Sequence, residues 1–439
     1  MTKRGAGAGL RPHDRVEIVV EKGVYRGLGL ARHQGQVVFV PRALPGDRVR
    51  ARVEAVRSGY VEATLEALVA GSRERRPSPC PYAPSCGGCA YQELDYAAQL
   101  RLKEGVLRES LQRAGAAWAG EIPIAPSPEE GWRTRASFHL QARGRSLHLG
   151  LHEEGSHRVV DLPYCLQLSA AMNGAARGLR GALERRPDLA GGVRGIDLLE
   201  SLDGRELVGS FETEMDAQQA VGLLAFAEGA PGLTGMGAVA GRGQARGYIS
   251  LRGAPYVHSS LLGRELRVHV QSFFQANRFL IEPLVRGVVE LIPGGGTVLD
   301  LYAGVGLFSL PLAAGAGDVL SMELSASAAD DAVFNFRQAG LKNLRLRTGD
   351  VLEGLATCPA RPGERIVLDP PRSGAGAAVV QAIAARRPEV VVYVSCDPPT
   401  LGRDLATFAK AGFRPDALRA FDAFPDTFHL ETIARLVPG

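Results

Sequence analysis

The sequence predicts an α/β chain. A mostly parallel, doubly wound sheet forms the C-terminal part, a small β-barrel the N-terminal part, and an α+β stretch lies between them. Three observations carry this expectation. From about residue 271, the strand-like runs "TVLDL", "DVLSMELS", "NLRLRTGD", "ERIVLDPP" and "EVVVYVSCDPP" alternate with the helix-like runs "DDAVFNFRQAG", "VVQAIAARRP" and "LGRDLATFAKAGF". Such alternation builds a parallel sheet with helices on its faces. Before residue 70, "RVEIVVEKG", "GLGLARHQGQVVFVPRALPGDRVRARVEAV" and "GYVEATLEAL" are short alternating runs punctuated by Gly and Pro-Gly-Asp, the pattern of a small barrel. The length of 439 residues suits two or three domains. The expected boundaries are 11–72 for the barrel, 73–270 for the central α+β region and 271–439 for the parallel sheet.

The barrel region is basic. Residues 1–76 carry 15 Lys and Arg against 8 Asp and Glu, whereas the whole chain has a net charge of only +4. A basic module suits a polyanion such as nucleic acid; a solvated charged surface has the same composition, and charge alone does not separate the two. After it comes a cysteine-rich loop, "CPYAPSCGGC", and then "YQELDYAAQLRLKEGVLRESLQRAGA", whose Leu100, Leu107 and Leu111 form the stripe of an amphipathic helix. In the central region "TRASFHLQARGRSLHLGLHEEGSHRVVDL" alternates like a hairpin pair, and "MDAQQAVGLLAFAEGA" reads as helix. No internal repeat is present. No run of 18 apolar residues predicts a membrane span, and "MTKRGAGAGLRPHDR" lacks the apolar stretch of a signal peptide. The expected compartment is the cytoplasm, where thiols stay reduced.

The parallel sheet carries the chemistry. "VLDLYAGVGLFSL" sets Gly304 and Gly306 in the first strand-to-helix turn, where glycines let a ligand approach the backbone. About 20 residues on, Glu323 ends a second strand, placed to accept from ribose hydroxyls. A third strand ends in Asp350 and a fourth in Asp369. A dinucleotide fingerprint would need a third glycine where Ser309 stands. The D-x-x-x-G-x-G form from Asp300 to Gly306 instead looks like the S-adenosylmethionine turn of Rossmann-like methyltransferases.

Cys396, in "VVYVSCDPPTLGRDL", also stands at the carboxyl end of a strand, the edge at which open α/β sheets bind ligands. Methyl transfer to O, N or S needs no thiol, because the acceptor has its own lone pair. C5 of a pyrimidine does not. If a thiolate adds to C6, the electrons move to C5 as an enolate, C5 takes the methyl group, a base removes the C5 proton and the thiol leaves. The thiolate is the reactive form, so a nearby cation is expected, with Arg403 a candidate. Glu431, His429 and Asp397 are candidate bases. Cys358, in "LATCPARPG", has no supporting motif and reads as structural. Adenine-N6 methylation, suggested by Asp-Pro-Pro alone, leaves Cys396 unexplained and lacks an aromatic residue where Arg372 stands.

These residues together resemble the S-adenosylmethionine-dependent RNA uracil-5 methyltransferases, in particular the bacterial 23S rRNA type, over nearly the whole chain. "VSCDPPTLGRDL" is similar to the family's nucleophile motif, which makes Cys396 the nucleophile, and "HLET" to its second signature, which makes Glu431 the proton acceptor. "SFFQANRF" resembles the F-x-Q-x-N segment and implies that Gln275 binds the cofactor; "DLYAGVG" implies the same for Tyr302, beside Gly304, Gly306, Glu323, Asp350 and Asp369. The N-terminal barrel looks like a TRAM domain, an RNA-binding module. The family usually shows Asn after the second glycine; Leu307 stands there and removes one polar contact.

Cys80, Cys86 and Cys89 make C-x5-C-x2-C, and Cys165 lies far along the chain. Four cysteines suit Zn²⁺ or an iron–sulfur cluster. Spacing does not separate these, although zinc ribbons bring two C-x2-C pairs and three clustered ligands plus a distant one fit [4Fe–4S] better. The resemblance also implies that cluster, in a structural role. The expected partner is structured RNA, with 23S rRNA ahead of a tRNA uridine and no obligate protein partner. A non-catalytic RNA-binding assembly factor is the alternative of a different class, and the intact Cys396, Glu431 and Asp369 argue against it.

Overall fold

The computed structural model describes residues 9–143, 146–227, 230–243 and 246–439. Most of the N-terminal stretch read for a signal peptide, and parts of the expected hairpin and helix of the central region, lie outside the described residues. The chain divides into two compact units: residues 1–109 with 424–429, and residues 110–423 with 430–439.

In the first unit, strands Arg15–Val24, Leu28–His33, Gln36–Pro41, Arg48–Arg57 and Tyr60–Ala70 close into a barrel, the fifth strand lying between the third and fourth. Period-two alternation makes its core: Val16, Ile18 and Val20 point inward with Val38, Val40, Val49, Ala51, Val53 and Val61. The Pro-Gly-Asp turn has a structural reason. Asp47 is fully buried, and its carboxylate accepts from the amides of Leu44 and Ser72 and pairs with Arg75 at 2.7 Å. The expected amphipathic helix forms at Tyr96–Ala114 with Leu107 and Leu111 buried. Residues 424–429 are held in this unit by Gln99, which donates to Asp426 Oδ1 at 3.0 Å, and by Lys103, which donates to the Phe424 carbonyl at 2.9 Å.

The second unit holds two large sheets. Seven strands form the central one, in the order 247–253, 235–240, 207–213, 193–200, 135–143, 146–152 and 159–161. Helix Ala170–Arg185 contributes Met172, Leu179 and Leu183 to the core beside it. The segment expected as one helix at 215–230 is broken into Ala217–Ala220 and Leu224–Ala227, with a 3-10 turn at Val221–Leu223. Gly222, with its weak helix preference, sits in the break. A hairpin, Tyr256–Leu261 with Arg264–His269, leads into the C-terminal part.

The C-terminal sheet has eight strands, in the order 344–348, 318–323, 297–301, 365–368, 390–395, 431–438, 413–421 and 124–125. The first five are parallel, as expected from the alternation; strand Glu431–Pro438 runs antiparallel to both its neighbours. No periodic signal marks strand Phe413–Phe421, because Pro415 and Asp416 interrupt it, and the structure absorbs them as an irregularity between Pro415 and Ala417. The order reverses between strands 297–301 and 365–368. Such a switch point opens a crevice at the carboxyl ends of the strands. Among the described residues, no helix is long and apolar enough to cross a membrane.

Candidate active site

Strand Val390–Ser395 is buried along its whole length and delivers Cys396 to the carboxyl edge of the sheet. The chain turns directly into helix Pro398–Lys410. Its first turn needs no amide from Pro398, and Asp397 caps it by accepting from the Thr400 amide at 2.9 Å. Strand Glu431–Pro438 runs antiparallel beside it, with Ser395 opposite Thr432. One further step of this register brings Cys396 level with Glu431, the first residue of its strand. On the other side, strand Arg365–Leu368 ends in Asp369, whose amide donates to the Leu301 carbonyl at 3.3 Å. Asp369, Cys396 and Glu431 thus stand at the same edge of three adjacent strands.

The electrostatics of this edge are set by burial and by neighbouring carboxylates. Glu431 is 2% exposed, and its Oε1 has no hydrogen-bond partner among the described residues. Burial, then the Asp369 charge, hold its carboxyl well above the ordinary range, while Arg372 opposes them. Burial raises Asp369 to about 7; the amide of Gln275 works against the shift, and the Asp300 charge adds to it. The Cys396 thiol is pushed up to about 12 by burial, then by Glu431 and Asp369, with Arg372 lowering it. In the free protein the thiol is therefore neutral. A positive charge arriving in the pocket shifts all three groups toward their ionised forms.

The glycine turn lies at the switch point. Tyr302, Gly304 and Gly306 all have positive φ, at 61°, 55° and 91°. Tyr302 is held in a conformation that L-residues rarely adopt, the kind of local strain found at ligand sites. A side chain at Gly306 would meet the Phe336 ring at 2.4 Å. Glu323 lies at the end of strand Asp318–Glu323, and its Oε2 accepts from the Gly304 amide at 2.8 Å, which ties the acidic residue to the glycine turn. Asp350 is exposed and caps helix Val351–Thr357 through the amides of Leu352 and Glu353. Leu307 is buried in the core, so that position is apolar by packing. A turn of positive φ with a carboxylate at the next strand end fits the ribose and amino-acid ends of S-adenosylmethionine.

Gln275 reaches this site from a segment that precedes the sheet. Its Nε2 donates to Asp369 Oδ2 at 2.9 Å. Thr134 grips the backbone on either side, its Oγ1 donating to the Gln275 carbonyl at 3.2 Å and its amide to the Ala276 carbonyl at 2.8 Å.

Two expectations change in the structure. Arg403 is not the cation beside the thiol: it pairs with Asp404 and donates to the Ser373 carbonyl. The cation that acts on both Cys396 and Glu431 is Arg372, directly after Asp-Pro-Pro. The sequence signal for it was its place in "LDPPRSG". Asp397 is occupied as a helix cap and is no base. His429 packs against Phe428, with ring centroids 4.2 Å apart, in the first unit.

The four expected metal ligands, Cys80, Cys86, Cys89 and Cys165, are half-buried and form no disulfide among the described residues. Cys86 Sγ accepts from the Gly88 amide and Cys89 Sγ from Gln92 Nε2, both at 3.4 Å. Burial and then the neighbouring Cys80 raise the Cys86 thiol, the Gly88 amide opposing. N–H donors aimed at sulfur suit thiolates that carry negative charge, so the donor chemistry fits a thiolate-bound group. Among the described residues, no set of three His, Cys, Asp or Glu side chains is already gathered as a metal site.

Fold and site together define a methyltransferase with a glycine turn and a half-buried thiol at one sheet edge. The chain belongs to the tRNA (uracil-5-)-methyltransferase family, whose model matches residues 95–351 and 361–437, and a TRAM domain matches residues 12–65. It is an RNA uracil-5 methyltransferase with an N-terminal RNA-binding module. Among its relatives is the 23S rRNA (uracil(1939)-C(5))-methyltransferase RlmD of Pseudomonas aeruginosa, 33% identical, over 96% of this chain and 94% of the relative. An uncharacterized RNA methyltransferase of Streptomyces avermitilis is 34% identical over 97% of this chain and 99% of its own length. Among solved structures, the Pyrococcus abyssi tRNA (uracil-54, C5)-methyltransferase in complex with S-adenosyl-L-homocysteine aligns with a TM-score of 0.74 over 96% of this chain and 100% of that one. At 24% identity, this shows a shared fold.

Proposed function

We propose that the protein methylates C5 of a uridine in 23S rRNA through a covalent bond between Cys396 and C6 of the base. The observation that carries this reading is the strand register that sets Cys396 level with Glu431, with Asp369 at the next strand end. Cys396 gives up its thiol proton to solvent and attacks C6 as the thiolate, and the electron pair moves to C5. S-adenosylmethionine would supply the methyl group that C5 takes up and leave as S-adenosylhomocysteine, and its sulfonium charge would favour the thiolate. Tyr302, Gly304, Gly306, Glu323, Asp350, Asp369 and Gln275 would hold it. The Glu431 carboxylate removes the C5 proton, the double bond re-forms, and the Cys396 thiolate leaves. Burial without a partner for Oε1 keeps Glu431 basic enough for that step.

Identity to relatives named for 23S rRNA over the full chain length supports the choice of RNA. With rRNA as substrate the working compartment is the cytoplasm. A tRNA uridine is the second reading, favoured by the tRNA enzyme that shares the fold. Cys80, Cys86, Cys89 and Cys165 are proposed to hold a structural [4Fe–4S] cluster. The modules read from sequence, 11–72, 73–270 and 271–439, are proposed as the RNA-binding, cluster-bearing and methyl-transferring parts.

The test is trapping on RNA that contains 5-fluorouridine, where C5 has no proton to lose. The wild type is expected to form a stable adduct with 23S rRNA fragments, and Cys396→Ala none. Glu431→Gln is expected to accumulate the same adduct on ordinary uridine RNA. Methylation by Cys396→Ala at the wild-type rate overturns the covalent reading, and adduct formation on tRNA alone overturns the choice of rRNA.

A further inference from the structure

Helix Ala326–Ala339 follows the strand that ends in Glu323, and two of its buried side chains face the other end of the crevice. Asp331 is 1% exposed, and its carboxylate collects three donors from one neighbouring segment. The Arg267 guanidinium donates to Oδ1 at 2.8 Å, the His269 amide to Oδ2 at 2.7 Å and the Ser272 hydroxyl to Oδ2 at 2.6 Å. One helical turn on, Asn335 Oδ1 accepts from the Arg267 amide at 2.8 Å, while its Nδ2 donates to the carbonyls of Arg267 and Val305, each at 3.0 Å. Val305 stands between Gly304 and Gly306. One helix therefore grips the glycine turn with Asn335 and the chain from Arg267 to Ser272 with both side chains. That chain runs on within three residues to Gln275, which meets Asp369. The Arg267 guanidinium is further fixed over two rings, 4.2 Å from the Phe334 centroid and 5.0 Å from that of Tyr256.

We propose that Asp331 is a positioning residue for methyl transfer: by clamping residues 267–272 to the cofactor helix, it sets where Gln275, and through it Asp369, stands relative to the glycine turn. The physical ground is the satisfaction of buried donors. A carboxylate can accept from all three groups at once, and an amide at the same place cannot; it offers one acceptor oxygen and turns two N–H donors toward groups that are themselves donors. The segment must then shift to satisfy its own donors. A displacement of a fraction of an ångström at Gln275 changes the alignment on which transfer depends. The inference rests on the reading of Gln275 and Asp369 as parts of the methyl-transfer site.

The experiment is a single-turnover reaction with 5-fluorouridine RNA and saturating S-adenosylmethionine. Methyl incorporation and protein–RNA adduct are both followed in time, and S-adenosylhomocysteine affinity is measured alongside. Asp331→Asn is expected to lower the rate constant for methyl incorporation at least thirtyfold. Ser272→Ala, which removes one of the three donors and leaves the ion pair, is expected to lower it three- to tenfold. In both, the reaction amplitude stays within twofold of the wild type, while the affinity for S-adenosylhomocysteine falls as Gln275 shifts. A purely structural role would lower the amplitude, as fewer molecules fold, and leave the rate constant alone; that result, or rate constants within twofold of wild type, overturns the proposal. If Asp331→Asn does not fold, Ser272→Ala decides by the same criteria. Failure of the covalent reading shows separately, as a wild type that incorporates methyl groups without forming adduct, and the comparison of methyl-incorporation rates still stands in that case.

Discussion

The surroundings of Cys396 favour its neutral thiol. Burial and the carboxylates of Glu431, Asp369 and Asp397 push Cys396 up to about 12, where about one molecule in ten thousand is a thiolate at pH 8. Alkylation of the free enzyme by iodoacetamide at Cys396 is therefore expected to run at least a hundredfold slower at pH 8 than at an ordinary thiol of pKa about 8.5. Because the thiol pKa is raised, the rate climbs about tenfold with each pH unit from 7 to 9 and does not level off. Peptide mass spectrometry across that range checks it, and a plateau below pH 9 would mean that the thiol is activated before RNA arrives. The sequence offered Cys396 as nucleophile and Glu431 as base, with His429 and Asp397 as rival bases on residue type alone. Asp397 drops out for a local reason, the capping of the next helix. Arg372 replaced Arg403 for a reason that no spacing reveals, since Arg403 is already satisfied by Asp404 and Ser373.

Among the elements, the turn from Tyr302 to Gly306 is the most constrained. Gly306 combines a φ of 91° with a ring atom of Phe336 at 2.4 Å from any added Cβ. Gly306→Ala is expected to destabilise the protein by about 1–3 kcal/mol, since both backbone strain and overpacking act at one position. Affinity for S-adenosylhomocysteine should fall at least tenfold as the turn opens. Thermal denaturation and titration calorimetry measure the two effects, and an unchanged affinity would separate this turn from the cofactor. Gly304 differs, because nothing lies within 4 Å of its added Cβ and only its φ resists substitution. Glycine spacing in the sequence marked both positions alike; only the packing of Phe336, thirty residues on, distinguishes them.

At the scale of the whole molecule, the proposed cluster at Cys80, Cys86, Cys89 and Cys165 gives a direct analytical prediction. The protein purified without oxygen is expected to contain about four iron and four acid-labile sulfide per chain, and Cys89→Ser to lose most of both. Zinc without iron would replace the cluster by a zinc site. RNA binding by the basic N-terminal unit is expected to weaken steeply with salt, as counterion release requires.

The alternation of strands and helices, the glycine turn and the cysteine before two prolines were legible in the sequence, because each is set by local preference and short-range geometry. Period two made the barrel equally readable. The pairing of strand 390–395 with 431–438 was not, since antiparallel neighbours joined by an intervening strand leave no spacing rule between Cys396 and Glu431. The Gln275–Asp369 bond and the Asp331 clamp were hidden for the same reason: buried polar groups find their partners across 94 and about 60 positions of chain. The sequence by itself determined which residue types stand at the strand ends as candidates. The tertiary structure alone decided which of them come together at one sheet edge, because burial and its electrostatic consequences belong to the packed molecule and to no segment of it.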